Sequence, residues 1–374
     1  MTVRVFLHHY GVRREVGLLA DTAHGLLFEY HPDFLATGIP LSPYMLPLRP
    51  GTFRDDKLTF DGLFGVFNDS LPDGWGLLLL DRALARQKRS LADCSPLERL
   101  THAGSRSFGA LEYEPDASSL VEGVACDFDK LAEESLRLLE EQSCQTEALD
   151  TLINLSGSLG GARPKVLLEP EDEHGAPQSW IVKFRAPGDS PEAGLQEYRL
   201  SLAARRAGLD MPETRLFASA KGPGYFGVRR FDRVNGQKMH AHTACGLLHA
   251  SHRFPSMDYE NLIRLTASLT RSSREVERMV ALMVFNVLAG NRDDHTRNFA
   301  FLMDEHFHWH LAPAYDLTRC VGFNGEHCST VNGKGRDITD RDLIQAAAVG
   351  GLAARTVQHL IERTRDALAD EFRD

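Results

Sequence analysis

Residues 291–298 read Asn-Arg-Asp-Asp-His-Thr-Arg-Asn, of the form N-x-D-x-H-x-x-N. Just before them, Val280–Gly290 is apolar at helical spacing, and just after them Phe299–Met303 is a short strand-like apolar run. The chain must therefore bury a helix and a strand while holding two carboxylates, an imidazole and two amides at their junction. A loop of that kind carries so many polar groups when they act together. Farther on, Asp316 follows another strand-like run, in Ala312-Pro-Ala-Tyr-Asp-Leu.

This spacing has a chemistry. An Asp followed five residues later by an Asn, with a second Asp after the next strand pair, is the layout of a phosphoryl-transfer centre. In that layout Asp293 takes or orients the proton of an acceptor hydroxyl, and Asn298 and Asp316 hold Mg²⁺ on nucleotide phosphates. Hard oxygen ligands without cysteine suit Mg²⁺ rather than Zn²⁺. The alternative for so short a motif is a capped turn with surface ion pairs.

At 374 residues the chain can hold one large domain or two to three ordinary ones. With 43% hydrophobic and 25% charged residues, it has the composition of an ordinary soluble globular protein. There is no apolar run long enough to span a membrane, and the start Met1–Tyr10 turns polar too early for a signal peptide. The six cysteines are scattered with no C-x-x-C, which reads as reduced thiols in a cytoplasmic protein. A metal site near His327 and Cys328 lacks an evident second ligand pair. A net charge of −10 argues against nucleic-acid binding by bulk electrostatics.

Taken in order, residues 1–113 read as a small mixed domain with strands at Val3–Leu7, Glu15–Leu19 and Leu26–Tyr30. In Leu63–Gly76 the residues Asn68, Asp69, Ser70 and Asp73 punctuate an apolar run, and the spacing suggests a capped helix pair under a sheet rather than a phosphate site. Residues 115–127 read as an acidic linker, and Asp129–Asn154 as a helix. Next, Leu155–Lys165 holds three glycines and two serines, a loop that lets backbone N–H groups approach phosphates without being a Walker loop. Two strands follow, and the second, Trp180–Phe184, carries Lys183 in an apolar run. A buried lysine needs an anionic partner, which nucleotide phosphates would supply; the alternative is an edge-strand lysine in water. The helix Glu197–Ala207 would then offer Glu197 to pair with Lys183. Strands at 216–219 and 225–231 precede a helical region with helices near 258–269, 274–288, 336–352 and 353–372. His306, His308 and His310 alternate along a strand and read as a solvated face. The order is α+β, with the succession of elements of a two-lobed protein-kinase-like fold: 1–113, then 114–235 with the glycine loop and the lysine strand, then a helical 236–374.

With these pieces aligned, the chain resembles the HipA family, the kinase toxins of bacterial toxin–antitoxin pairs. The resemblance covers nearly the whole chain and rests on FNDSLPDGWG, GSLGGARPK, WIVKF, YFGVRRFDR, NVLAGNRDDHTRNF and LAPAYDL. It implies an ATP- and Mg²⁺-dependent serine/threonine kinase with Asp293 as catalytic aspartate and Asn298 and Asp316 as metal ligands. It further implies ATP contacts from Gly160, Gly161, Ala162, Arg163, Pro164 and Lys165, from Lys183, from Arg229, Arg230 and Phe231 at the hinge, and from His295. Ser158, with Ser156 as the alternative, matches the loop serine that such kinases autophosphorylate, and the added charge would eject the loop and silence the enzyme. The implied partners are a protein substrate, in the family's known cases including an aminoacyl-tRNA synthetase or another translation component, and a HipB-like helix-turn-helix antitoxin. DNA would be met only through the antitoxin, and no membrane is implied.

Two other classes remain open on the sequence. A small-molecule kinase of related fold uses a similar D-x-x-x-x-N loop, although the GGARPK loop and the FNDSLPDGWG region argue against it. A non-catalytic co-repressor acting with an antitoxin is opposed by the complete set Lys183, Asp293, Asn298 and Asp316.

Overall fold

The computed structural model describes residues 1–118, 127–142, 144–156, 160–171, 175, 177–251 and 257–372. The chain divides into two compact units: residues 1–195 with 215–241, and residues 196–214 with 242–374. The range 1–113 expected from the sequence falls in the first unit with most of 114–235, while residues 196–214 of the latter fall in the second.

In the first unit, β1 (Thr2–His9), β2 (Val12–Thr22), β3 (Gly25–Tyr30), β4 (Thr52–Arg54) and β5 (Leu111–Glu114) form a five-stranded sheet of order β4-β3-β2-β1-β5. Along β1, Val3, Val5 and Leu7 are fully buried, as period-two alternation requires of a strand with one face on a core. That core is aromatic, with Phe28 against Tyr30, Phe53 and Phe67. The short helices α1 (Pro32–Thr37) and α2 (Gly65–Asn68) lead to α3 (Gly74–Arg86) and α4 (Pro96–Ala103).

The expected helix over 129–154 is two helices, α5 (Phe128–Leu139) and α6 (Thr146–Ser156). The chain breaks between them at Glu141, which takes a positive φ of 56°. Both pack with α3 on β6 (Lys165–Leu168) and β7 (Trp180–Lys183). Trp75, Leu79, Leu131, Leu138, Leu149, Leu152, Val166 and Val182 share that core. This is why the first unit is one body: Trp75, from the N-terminal region, is the largest side chain in the core under the lysine strand. With β8 (Thr214–Phe217) and β9 (Tyr225–Arg229), these strands form a four-stranded sheet of order β6-β7-β9-β8. A small hairpin, β10 (Arg233–Val234) with β11 (Gln237–Lys238), follows.

The second unit takes in most of a helix over Ala193–Arg206, α7, and the short α8 (Ala244–Leu247). Its longer helices are α9 (Tyr259–Thr270), α10 (Ser273–Ala289), α11 (Asp340–Ala348) and α12 (Ala354–Glu371). Helix α10 is apolar on nearly every side and correspondingly buried from Met279 through Asn286. It packs against both α9 and α12 and is the axis of the unit. Strand β12 (Ala241–Thr243) joins β14 (Ala300–Met303) and β15 (Trp309–Leu311) in a three-stranded sheet, and β13 (Met257–Asp258) pairs in parallel with β16 (Ser329–Thr330).

His306, His308 and His310 all stand at least 48% exposed around Asp304, whose carboxylate accepts from His310 Nε2 at 2.9 Å. The solvated-face reading fits. Only His310 lies inside a strand, because Phe307 takes a positive φ.

Candidate active site

The two units carry separate groups of candidate residues. In the second unit, α10 ends on Gly290, whose φ of 71° lets the chain leave the helix in a left-handed turn. The next residue, Asn291, is buried. Its backbone N–H donates to the Asn286 carbonyl at 2.9 Å and its side-chain amide to Asn286 Oδ1 at 2.9 Å.

Asp293 and Asp294 then part company. Asp294 is fully buried and accepts from Tyr259 Oη at 2.8 Å, His327 Nδ1 at 2.8 Å and the Ser329 N–H at 3.2 Å. The Tyr259 hydroxyl in turn accepts from Asn286 Nδ2 at 2.9 Å. Asp293 instead presents a side chain 57% exposed, with His295 Nε2 3.9 Å away. Adjacent carboxylates therefore have opposite roles: one bolts the loop into the unit and the other faces water. Sequence reading missed the bolt. Its only linear signal was a second Asp in the motif, since its partners lie 33 and 35 residues away.

Asn298 Nδ2 donates to the Asp293 carbonyl at 2.7 Å, which closes the five-residue turn and leaves the amide oxygen as the acceptor end of the side chain. Tyr315 Oη donates to the Arg297 carbonyl at 2.6 Å, joining this loop to the segment that carries Asp316. Asp316 sits at φ 53°. A non-glycine residue there costs free energy, and such positions cluster where a side chain must be aimed. Two hard oxygen donors, one of them on a strained backbone, fit a Mg²⁺ ligand pair. A depression of about 470 Å³ lies beside this loop, lined by residues including Val287, Gly290, Arg292, Arg319 and Val321.

In the first unit, β6 and β7 run antiparallel with Lys165 opposite Lys183, Val166 opposite Val182 and Leu168 opposite Trp180. Directly opposed residues share a face, and like charges there repel. Two ammonium groups so placed suit an anion. Lys165 is buried and donates from Nζ to the Gly160 carbonyl at 2.5 Å. Lys183 lies half-buried with Nζ 5.5 Å from the centre of the Phe226 ring. Gly161 has φ 93°, a backbone conformation that favours glycine. Within the first unit, then, two lysines on paired strands and a glycine loop make a basic group.

Other expected contacts are placed differently. The Arg163 guanidinium is held in a two-point ion pair by Asp189, at 3.0 and 3.1 Å. The Arg230 side chain is engaged within the first unit. It is buried, and its guanidinium binds both Asp232 oxygens, at 2.9 and 2.7 Å, and the Ser107 carbonyl. Arg233 binds Asp232 as well, and these two charges outweigh burial to hold the Asp232 carboxyl well below its ordinary range. Arg230 is a structural cation that staples the end of β9 to the N-terminal region. Phe231 packs edge-on against Phe108, and Arg229 ends β9 opposite Trp180. His295 ends the extended stretch before the turn Thr296–Asn298.

Ser158 lies outside the described residues. Ser156 is fully buried at the end of α6, where its hydroxyl donates to the Lys165 carbonyl at 2.8 Å. His327, weighed as a metal ligand beside Cys328, is bonded to Asp294. Among the described residues, Cys94, Glu98 and His102 bring ligand atoms within 4.8 Å of one another, but Arg89 already holds both Glu98 oxygens, at 2.6 and 2.9 Å. No disulfide joins the described cysteines, and no helix among the described residues is long and apolar enough to cross a membrane.

The HipA-like C-terminal domain matches residues 157–372, and the HipA N-terminal domain matches residues 5–114. The chain belongs to the HipA family. A Sinorhizobium fredii relative described as "Putative kinase Y4mE" is 28% identical over 419 aligned positions, covering all of this chain and 93% of its own. A Haemophilus influenzae relative described as a "Putative kinase" is 27% identical over 181 positions, covering 43% of this chain and 52% of its own. Of that second relative, the match therefore spans only about half the length. The HipA chain of Shewanella oneidensis, solved in a toxin–antitoxin complex with HipB and operator DNA, superposes with a TM-score of 0.70 at 19% identity. That match covers 98% of this chain and 90% of that one, and it establishes the HipA fold, mixed α and β.

Proposed function

We propose that this HipA-family chain is an ATP- and Mg²⁺-dependent serine/threonine protein kinase and the toxin of a pair with a HipB-like antitoxin. The observation that carries the reading is the divergence of Asp293 and Asp294. A loop locked by one buried carboxylate presents the neighbouring one to solvent, five residues before an amide that closes the turn. Only a positioned, accessible carboxylate can meet an acceptor hydroxyl.

In this reading Asp293 orients the hydroxyl and accepts its proton. Asn298 and Asp316 hold Mg²⁺ through oxygen. Lys183 and the loop 160–165, with Lys165, hold the phosphates. Bound MgATP supplies the transferable phosphoryl group and the metal charge that offsets the negative charge developing on it. The residues hold the reactants in line and replace solvent with fixed charges. Ser158 is the site of self-phosphorylation, since the Ser156 hydroxyl is buried and already donates to a carbonyl. The antitoxin partner rests on the complex of the Shewanella protein with HipB and operator DNA. With a net charge of −10, this chain would meet DNA through that partner rather than by bulk attraction.

The test is incubation of the pure chain with ATP and Mg²⁺, followed by intact and peptide masses. One added phosphate in the wild type, absent from Asp293→Asn although that variant still binds MgATP, is the expected result. Equal phosphorylation of Asp293→Asn would remove Asp293 from its role.

A further inference from the structure

The segment Pro72-Asp-Gly-Trp75 takes no part in the chemistry above, yet it grips the glycine loop at four points. Asp73 occupies the N-cap position of α3. An Asp there ordinarily accepts from an N–H of its own first turn, but Asp73 makes no such bond. Its Oδ1 accepts the N–H of Gly161 instead. In the opposite direction the backbone N–H of Trp75, one of the donors that a helix start leaves without an internal partner, donates to the Gly161 carbonyl at 3.0 Å. Both polar groups of Gly161 are thus taken by the first turn of α3.

Gly74 makes the approach possible. Its φ is 41°, and a Cβ there would stand 2.7 Å from the Gly161 carbonyl oxygen and 2.8 Å from the Ala162 Cα. The fourth point is the fully buried Trp75 indole. Its Nε1 donates to Ser156 Oγ at 3.1 Å and to the Lys165 carbonyl at 3.1 Å. Ser156 precedes the glycine loop and Lys165 follows it, so one side chain draws the two ends together.

We propose that Asp73, Gly74 and Trp75 are positioning residues: a clasp that fixes the loop 160–165 so that the Lys165 ammonium stands ready for nucleotide phosphate. The proposal rests on the kinase reading for its ligand, though not for its geometry. The clasp holds Gly161 from both sides, which orders the loop before any ligand arrives and removes that ordering cost from binding.

The experiment uses the full chain and three variants: Asp73→Ala, which removes the acceptor; Asp73→Asn, which keeps an oxygen there; and Trp75→Phe, which keeps the ring and removes the indole donor. Hydrogen exchange without ligand is followed in peptides covering residues 160–168. Asp73→Ala and Trp75→Phe are expected to speed exchange by about tenfold, the loss of roughly one good hydrogen bond, whereas Asp73→Asn stays near wild type. Unchanged exchange in Asp73→Ala overturns the clasp. MgATP titration of the same proteins should show affinity falling about tenfold in Asp73→Ala and recovering in Asp73→Asn, with KM for ATP rising more than kcat falls. Tighter binding in Asp73→Ala would mean that the carboxylate blocks the phosphate site, and would overturn the positioning role. A wild type that binds no MgATP would sink the kinase reading, while the exchange result would still decide the clasp.

Discussion

Removing a single oxygen tests the bolt beneath the candidate catalytic loop. Tyr259→Phe keeps the ring, which packs edge-on against Phe299 at 5.6 Å, and deletes only the hydroxyl. Burial first, and then the Asp294 charge, push that phenol well above its ordinary pKa, so it stays protonated and donates. Two hydrogen bonds are lost, one to a carboxylate at 2.8 Å and one from an amide at 2.9 Å. A bond to a charged group contributes about 1.5–3 kcal/mol and a neutral one about 0.5–1.5, partly offset because the hydroxyl no longer has to be desolvated. Asp294 keeps His327 and Ser329 as donors, so the carboxylate is not stranded. The expected loss is about 2–3 kcal/mol, which corresponds to a fall in Tm of about 4–12 °C for a unit of this size. Thermal melting and urea unfolding measure the loss. Because two units need not unfold together, hydrogen exchange in a peptide covering residues 291–298 reports the local effect. A Tm within about 1 °C of wild type, with exchange in that peptide unchanged, would refute the claim that this hydroxyl holds the loop.

Three further outcomes follow from buried polar groups. Burial pushes Glu112 up, but bonds from Lys238 at 2.6 Å and Arg13 at 2.9 Å outweigh it and hold its pKa at about 2. Lys238 is itself pushed down by burial despite that bond, so the favourable linkage is assigned to Glu112. A carboxyl depressed in the folded state stabilises fully above its unfolded pKa of about 4.3, and that stability fades as pH falls toward about 2. Acid titration of stability should therefore steepen in that window for wild type and flatten in Glu112→Gln; identical curves would contradict it. Asp232→Ala strands Arg230 and Arg233 in the interior and should cost about 3–5 kcal/mol in urea unfolding, with a smaller loss in an Arg230→Met, Asp232→Leu pair. In phosphopeptide mapping of the MgATP-treated chain, phosphate should fall on Ser158 and not on Ser156. A Ser156 phosphopeptide would show that the end of α6 opens.

The linear order was enough for the elements that depend on local pattern. The period-two run Val3, Val5, Leu7 and the all-round apolar helix before Gly290 could be read as strand and buried helix because each signal lies within one element. The spacing of Asp293 and Asn298 was equally legible, since the bond that joins them closes within five residues. Three things were decided only by folding. Which of two adjacent aspartates is accessible depends on Tyr259, His327 and Ser329, brought to Asp294 from both sides of the chain. Arg230 reads like any basic residue beside a strand, and becomes a buried staple only when Ser107 and Asp232 surround it. The segment 72–75 reads as the start of a capped helix. Its Asp, Gly and Trp acquire their second task because α3 and β6 share one core, which brings a helix N-terminus against a loop 88 residues later. Hydrophobic pattern, being local, specifies elements; the partners of buried polar groups are set by which elements the core forces together, and that is a property of the folded chain.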